Sequence, residues 1–468
     1  MSATLLLLTA MVGAAPPTPP TTRPRAGAPP ATAPATRPRP GARAIELGPR
    51  HTSELHGFSI RPPAMLEPAH GGSASRLARW VRRDEDTGAV LWSLDVLKNQ
   101  HAPSEMPAAE YAKVIARQLA RSEQFKVDGT DVTIVARRPA MHFRGVWSGA
   151  LQLWRRQIWV RLGAEEHLVL DVAGRMDKKT IMDAALTASA KTLRVFDPSA
   201  AIAERSKSFA RGAAVLAGLD ERKLRELLRR DVHYYLVELE GRTVGFIRII
   251  EGLAHRSGER GLWVIRSAAL ALPEEPTQLV REDLFATADR RFEQWQTVAE
   301  VRRGRGGVRT VVEGIKQQGL LLVHTSRPGK PRQTRQITLP EAIRPAYLPA
   351  AMGVVLPRLI DRDETGSYGF AVFSSVSKDF QLRTVRVVGP DTVGADGKKV
   401  AATRLTDQMA PDAPAGELWV DARGLPIRMR TAEGLITRRS DRAAVTAAFA
   451  KELIRLDKLA KEAPPAGK

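Results

Sequence analysis

Apolar and polar residues alternate with a period of two along most of this chain, and only a few stretches switch to a period near four. In the first half, residues 56–60 alternate and stop at Pro62-Pro63, which predicts a short strand. Residues 77–82 and 90–97 predict two strands around a turn at 84–88. Over 106–122, Tyr111, Ile115 and Leu119 recur every four positions, the spacing of a helix. Strands follow at 131–136, 142–148, 152–161 and 167–172, then a helix at 178–191 and a closing segment at 192–196. This order predicts an α+β unit over 52–198, an antiparallel sheet sandwiched by helices.

The second half opens with a helical pattern over 209–230. Leu216, Leu224, Leu227 and Leu228 mark its apolar side, and Arg222, Lys223, Arg225, Arg229 and Arg230 its basic side. Residues 199–230 therefore read as a helical connector. Strand periodicity then runs through 234–239, 244–250, 262–270, 278–287, 290–302, 308–315 and 320–325. A Pro-bearing apolar insertion at 339–360 interrupts it, irregular and partly helical. Strands resume at 368–375, 381–388, 400–406, 416–420, 426–431 and 435–438, and Ser440 is the expected cap of a last helix at 441–461. Over 231–462 this predicts one large curved antiparallel sheet, a half-barrel. Its concave face needs a cover, and the apolar insertion and a helix are the natural plug.

Composition changes the picture at the N-terminus. Residues 5–15 form an apolar run ending in small residues, so 1–15 are expected to be a signal peptide, although no Lys or Arg precedes Leu5. Residues 16–50 are rich in Pro, Ala, Thr and Arg and predict an extended tether, and 463–468 a short tail. The absence of cysteine excludes disulfides, thiolate metal sites and cysteine catalysis. No apolar run reaches the ~18 residues that span a bilayer, so no transmembrane anchor is expected. The expected location is periplasmic or secreted.

The net charge of +21 invites a nucleic-acid partner. However, the tether alone carries six Arg against one Glu, Arg outnumbers Lys about three to one, and the cations are spread along both halves. Nucleic acid is not expected as a partner. Anionic headgroups or acidic polysaccharide suit such a surface better in an exported chain. The densest cluster is Arg302-Arg303-Gly304-Arg305-Gly306-Gly307-Val308-Arg309.

Two resemblances carry further expectations. Gly57-Phe58-Ser59-Ile60 with Pro63, the Trp92 strand, and Ala188-Ser189-Ala190-Lys191-Thr192-Leu193 with Asp197-Pro198 resemble a PsbP-like domain. That resemblance implies a non-enzymatic binding or assembly module. Tyr234-Tyr235, Gly241 and Val244-Gly245-Phe246, then Gly416-Glu417-Leu418-Trp419-Val420-Asp421 and Gly424-Leu425-Pro426-Ile427-Arg428, resemble the unclosed β-barrel of LolA/LolB-like lipoprotein carriers. It implies a lipid or acyl chain held inside the half-barrel. The chain is longer than such a carrier and bears an additional domain.

Searches for chemistry return mostly absences. There is no H-E-x-x-H and no G-x-S-x-G. Gly389 to Gly394 has Walker-like spacing, but Ala395 and Asp396 follow where Lys and Ser/Thr belong, and Gly397-Lys398-Lys399 reads as a hairpin turn. His51, Glu54 and His56 form the only tight His group. Asp361 to Gly366 begins like a calcium loop, but Val372 stands at its twelfth position, so a solvated turn is expected. Glu165-Glu166 and Glu274-Glu275 lack a third partner. Trp80, Trp92, Trp147, Trp154 and Trp159 alternate with Arg on strands, a pattern expected of core rather than of a stacking face. His167 and His324 read as structural.

The chain is therefore expected to be non-enzymatic, with no catalytic residue, metal or cofactor. The expected function is holding a lipid or other hydrophobic ligand in the concavity. Its expected wall is Tyr235, Val237, Phe246, Trp263, Ile265, Trp295, Phe370 and Val372, with Leu348 and Met352 from the insertion. The alternative is an envelope assembly or scaffold protein that docks a protein partner. An interior filled by the chain itself favours the second; an open one favours the first.

Overall fold

A computed structural model describes residues 45–462, apart from 70–75, 86, 101–105, 123–124, 149–151, 164, 230, 273–274, 304–305, 376–377, 396–397 and 411–412. The expected signal peptide, the tether before residue 45 and the tail lie outside the described residues. So do Arg230, Glu274, Gly304, Arg305, Asp396 and Gly397. Contacts divide the chain into a unit of residues 15–201 and one built from 202–468.

The first unit runs β1 (His51–Ser53), β2 (Phe58–Ile60), β3 (Glu67–Pro68), β4 (Arg76–Arg83), β5 (Val90–Gln100), α1 (Ala108–Ser122), β6 (Phe125–Val135), β7 (Arg138–Ser148), β8 (Gln152–Arg161), β9 (Glu166–Arg175), α2 (Lys179–Ala190) and β10 (Arg194–Val195). Strands β3 to β9 form a seven-stranded antiparallel sheet in the order β3-β4-β5-β9-β8-β7-β6, and β1-β2-β10 form a small second sheet. Alternation explains the two helices: successive side chains point to opposite faces, so each face needs its own cover. Ala112, Ile115 and Leu119 of α1 pack on Phe125, Phe143 and Trp159. Met182, Ala185 and Leu186 of α2 pack on the other face with Trp80, Trp92 and Trp154. Four of the five Trp of this unit are therefore core, as their alternation predicts.

The β6–β7 hairpin extends further than expected, through a two-residue turn at Ala136 (φ 51°) and Arg137 (φ 62°). Both residues occupy the left-handed region, which costs an L-residue with a Cβ about 1 kcal/mol or more. Ala136→Asn with Arg137→Gly should raise stability by about 1–2 kcal/mol, read as a higher urea midpoint with an unchanged slope.

The second unit begins with α3 (Ser199–Ala217) and α4 (Glu221–Leu227), two helices where one was expected. The break falls at Gly218-Leu219-Asp220, because Asp220 caps α4 by accepting from the Lys223 amide at 2.7 Å. Then come β11 (His233–Leu239), β12 (Arg242–Arg256), β13 (Glu259–Leu270), β14 (Thr277–Thr287), β15 (Phe292–Arg303), β16 (Gly306–Gln317), β17 (Leu320–Arg327) and β18 (Lys330–Thr338). The insertion folds as a 3-10 turn (Glu341–Ala346) and α5 (Ala350–Leu359). After it follow β19 (Gly366–Ser374), β20 (Asp379–Ala395), β21 (Lys398–Gln408), β22 (Gly416–Val420), β23 (Pro426–Arg430), β24 (Ile436–Ser440) and α6 (Arg442–Glu462). Strand β18 escapes the hydrophobic pattern because almost all of its residues are exposed.

These fourteen strands form one antiparallel sheet ordered β18-β17-β16-β15-β14-β13-β12-β11-β24-β23-β22-β21-β20-β19. It curls without closing into a barrel. The rings of Trp295 on β15 and Phe373 on β19, far apart in that order, come within 6.0 Å. The insertion bridges the gap: the Leu339 amide donates to the Gly319 carbonyl and the Leu348 amide to the Ala371 carbonyl, each at 2.8 Å. Helix α3 lies close on β19, where a Cβ at Gly212 would come 2.0 Å from the Gly369 carbonyl oxygen.

Helix α6 covers the other face of the sheet. Val445, Phe449, Leu456 and Leu459 pack on Leu236, Phe246, Ala269, Leu279 and Val298. Its cap is Asp441, which accepts from the Ala444 amide at 2.8 Å, rather than Ser440, which pairs with Tyr234 as the end of β24.

Candidate functional site

Seven of the ten expected wall residues meet inside the curl. Tyr235 and Val237 of β11, Trp295 of β15, Phe370 and Val372 of β19, and Leu348 and Met352 of the insertion share one buried cluster. The other three do not. Phe246 joins the cluster under α6 and lies 5.4 Å from the Phe449 ring. Trp263 and Ile265 alternate with Leu262 and Val264, which face the interior, and so point to the outer face. There the Trp263 Nε1 donates to Asp283 Oδ1 at 2.9 Å. Both faces of β12 and β13 are apolar because a helix covers each, so apolar character alone does not identify the inner one.

The interior is occupied by the chain itself. Residues 351–358 of α5 are all buried, with Met352 and Leu356 at 0% exposure. Polar side chains from the sheet grip the helix at three levels.

At its start, Pro349 offers no side-chain cap. Glu293 of β15 substitutes: its Oε1 accepts from the Ala350 amide at 2.8 Å and its Oε2 from the Tyr347 hydroxyl at 2.5 Å. A carboxylate at a helix start also meets the favourable end of the helix dipole. Burial pushes the Glu293 carboxyl above its usual range, against the pull of those two donors and of Lys316. Burial likewise pushes Tyr347 up and Lys316 down. The Lys316 Nζ lies 5.2 Å from the centre of the Tyr347 ring and donates to the Arg290 carbonyl at 2.5 Å.

At mid-helix, Arg383 of β20 donates to the Gly353 carbonyl at 3.4 Å. It is held by a fork onto Asp407 of β21, at 2.9 and 2.7 Å. At the helix end, Arg358 forks onto Glu251 of β12 with two contacts of 2.5 Å and donates to the Leu227 carbonyl at 2.8 Å. Glu251 accepts in addition from the Arg229 amide at 2.7 Å. The Arg358 and Glu251 side chains are 5% and 1% exposed. Burial holds the neighbouring His233 below the usual imidazole range, opposed by Glu251 and reinforced by Arg358. A third buried ion pair, Arg266 with Glu282, joins β13 to β14.

None of these residues was singled out from sequence, yet a signal existed. Glu251 follows Ile247 and Ile249 at a spacing of two, and Glu293 precedes Trp295 by two. Each charge therefore falls on the apolar face of its strand.

The candidate chemical sites resolve into structural roles. Asp361 accepts from the Asp363 amide at 2.9 Å in a turn, and Val372 is buried core. His51 lies edge-on to Trp80 with centroids 5.3 Å apart. His324 pairs with the Thr334 hydroxyl at 2.8 Å, and His167 packs between Tyr111 and Trp159. Glu166 begins β9 and pairs with Lys98 at 3.1 Å. Among the described residues no group of three or more metal-ligating side chains occurs. No described helix is long and apolar enough to cross a membrane.

In the first unit, Asp95 and Asp171 stand opposite each other on β5 and β9. Arg155 forks onto Asp171, and Arg76 and Arg79 approach Asp95 at 3.2 and 3.5 Å. Burial raises the Asp95 carboxyl, while those two arginines lower it. With three cations around two carboxylates, the row is an ionic network on the sheet face.

No protein-family model matches the chain, and no curated protein matches it. Solved structures do. A cyanobacterial PsbP from Synechocystis sp. PCC 6803 is 10% identical, covering 34% of this chain and 98% of its own, with a TM-score of 0.26. LpqN of Mycobacterium tuberculosis, involved in cell envelope biogenesis, is 10% identical over 30% of this chain and 83% of its own, with a TM-score of 0.25. A β-barrel-like protein of domain of unknown function DUF1849 from Brucella abortus is 14% identical over 46% of this chain and 100% of its own, with a TM-score of 0.27. None of the three is a LolA or LolB protein. Nothing about function follows from likenesses of this size.

Proposed function

We propose that this chain is an exported, non-enzymatic docking protein of a cell envelope, in which the curved sheet is a filled framework and partners engage outer surfaces. The observation that supports this reading is the occupancy of the interior by α5 and its grip at three levels by Glu293, Arg383 and Glu251. A lipid held in the curl would have to displace this helix and expose buried charges. Breaking one buried pair costs about 3–5 kcal/mol. Burying a ligand surface returns roughly 25 cal/mol per Å², so an acyl chain must bury well over a hundred Å² merely to offset one pair. The expectation of export comes from residues 1–15 and the Pro-rich segment after them.

Native mass spectrometry of protein purified without detergent from an exporting host separates the two readings. The expected spectrum is the bare chain, unchanged after incubation with phosphatidylcholine or an uncharged acyl lipid. A stoichiometric lipid adduct lost on denaturation would restore the carrier function and overturn the filled framework.

A further inference from the structure

One corner of the curved sheet is built unlike the rest. No Asp or Glu occurs between Glu313 and Glu341, whereas Lys316, Arg327, Lys330, Arg332 and Arg335 do. The last four lie in or beside the β17–β18 hairpin. Every residue from Arg327 to Gln336 is exposed, so nothing in the described chain covers this stretch of the hairpin. Arg327, Lys330 and Arg335 make no ion pair among the described residues, and Arg332 reaches Glu313 at 2.9 Å.

The register carries a second basic element to the same end. Val311 pairs with Ser326 and Arg327 with Lys330, so the β15–β16 hairpin runs on past the β17–β18 turn. On that extension Arg302 pairs with Gly307, Arg309 with Glu300, and Val308 with Val301. The Val308 side chain is 62% exposed on the face of this ladder opposite to Arg302 and Arg309.

We propose that this corner docks the protein on an anionic phospholipid surface, with the arginines and Lys330 at the headgroups and Val308 at the acyl boundary. The charge complementarity is one-sided: the β17–β18 hairpin carries no acid of its own, and Glu300 on the neighbouring hairpin is paired with Arg302 and Arg455. Val308 decides between a membrane and a soluble polyanion. An exposed apolar side chain beside a cationic ribbon gains burial only where headgroups give way to hydrocarbon. A charged edge also discourages strand-to-strand aggregation, but that role needs neither Val308 nor the second hairpin. This surface is separate from the filled interior, so the proposal stands whether or not the interior can take a ligand.

Sedimentation of the full chain with vesicles tests it. The probes are phosphatidylcholine alone and phosphatidylcholine with phosphatidylglycerol at about two to one. The expected result is binding to the mixed vesicles only, abolished by ~0.5 M salt. The triple variant Arg327→Glu, Lys330→Glu, Arg335→Glu should lower partitioning by more than about 100-fold. A control of equal charge, Lys398→Glu, Lys399→Glu, Arg423→Glu, should change it far less. Val308→Ser should lower it about fivefold while leaving binding to soluble polyglutamate unchanged. All these positions are exposed, so circular dichroism should be unaltered. No binding to the anionic vesicles, equal loss in the two triple variants, or polyglutamate binding with no effect of Val308→Ser would each overturn the proposal.

Discussion

Arg358→Met is expected to destabilise the curved-sheet unit by about 3–5 kcal/mol, the largest single effect among the charged residues of the interior. The substitution leaves Glu251 buried with no cation opposite it and removes the donor to the Leu227 carbonyl. Methionine conserves much of the volume, so the loss reports the charge rather than a cavity. The companion double variant, Arg358→Met with Glu251→Met, should recover most of it, because removing both members of a buried pair approaches neutrality. The Arg229 amide loses its acceptor in the double variant, so recovery stays incomplete by about 1 kcal/mol. Urea denaturation of the three proteins is the measurement. Equal destabilisation of single and double variants would mean that the pair does not hold the helix.

Glu293→Ala is expected to cost about 2–5 kcal/mol, since it strands the Tyr347 hydroxyl and the Ala350 amide, each at about 1–3 kcal/mol. Glu293→Gln should cost less and should change the response to pH. Burial raises the Glu293 carboxyl in the folded state above its unfolded value. Its contribution to stability is then fully present below the unfolded pKa and is lost as pH rises through the raised folded value. A glutamine does not titrate. The difference in stability between the parent and Glu293→Gln should therefore move against the parent as pH rises from the ordinary carboxylate range towards neutrality. Thermal or urea unfolding of both proteins across that range checks the sign. A difference independent of pH would show that the Glu293 carboxyl is not raised in the folded state.

Much of this architecture was legible in the sequence, and the gaps have physical causes. Strands with one buried face announce themselves by alternation, as β20 and β22 do. Strand β18 does not, because neither of its faces is buried. The wall of the curl was legible only in part: Tyr235, Trp295 and Phe370 fell inside, whereas Phe246, Trp263 and Ile265 lie on the outer face of β12 and β13, which is apolar too. The insertion was readable as a plug from its prolines and its apolar run. What holds it was not, because Glu251, Glu293 and Arg358 find their partners across 107 and 54 residues of chain. Spacing within a segment carries no information about such pairs.

The sheet is joined in its middle by the two strands that are farthest apart in the chain. Glu238 of β11 and Arg438 of β24 meet across 200 residues. Every other strand pairs with its neighbour in sequence, β11 to β18 on one side of that joint and β19 to β24 on the other. During synthesis the first meander and α5 leave the ribosome before any of the second meander exists. Closing so long a loop is the slow, entropically expensive event of this topology. Until β24 arrives, the apolar side of α5 that will face β19 to β22 has only water or a chaperone to meet. The nascent chain is therefore most prone to aggregate after the interior helix has emerged and before the final strand does.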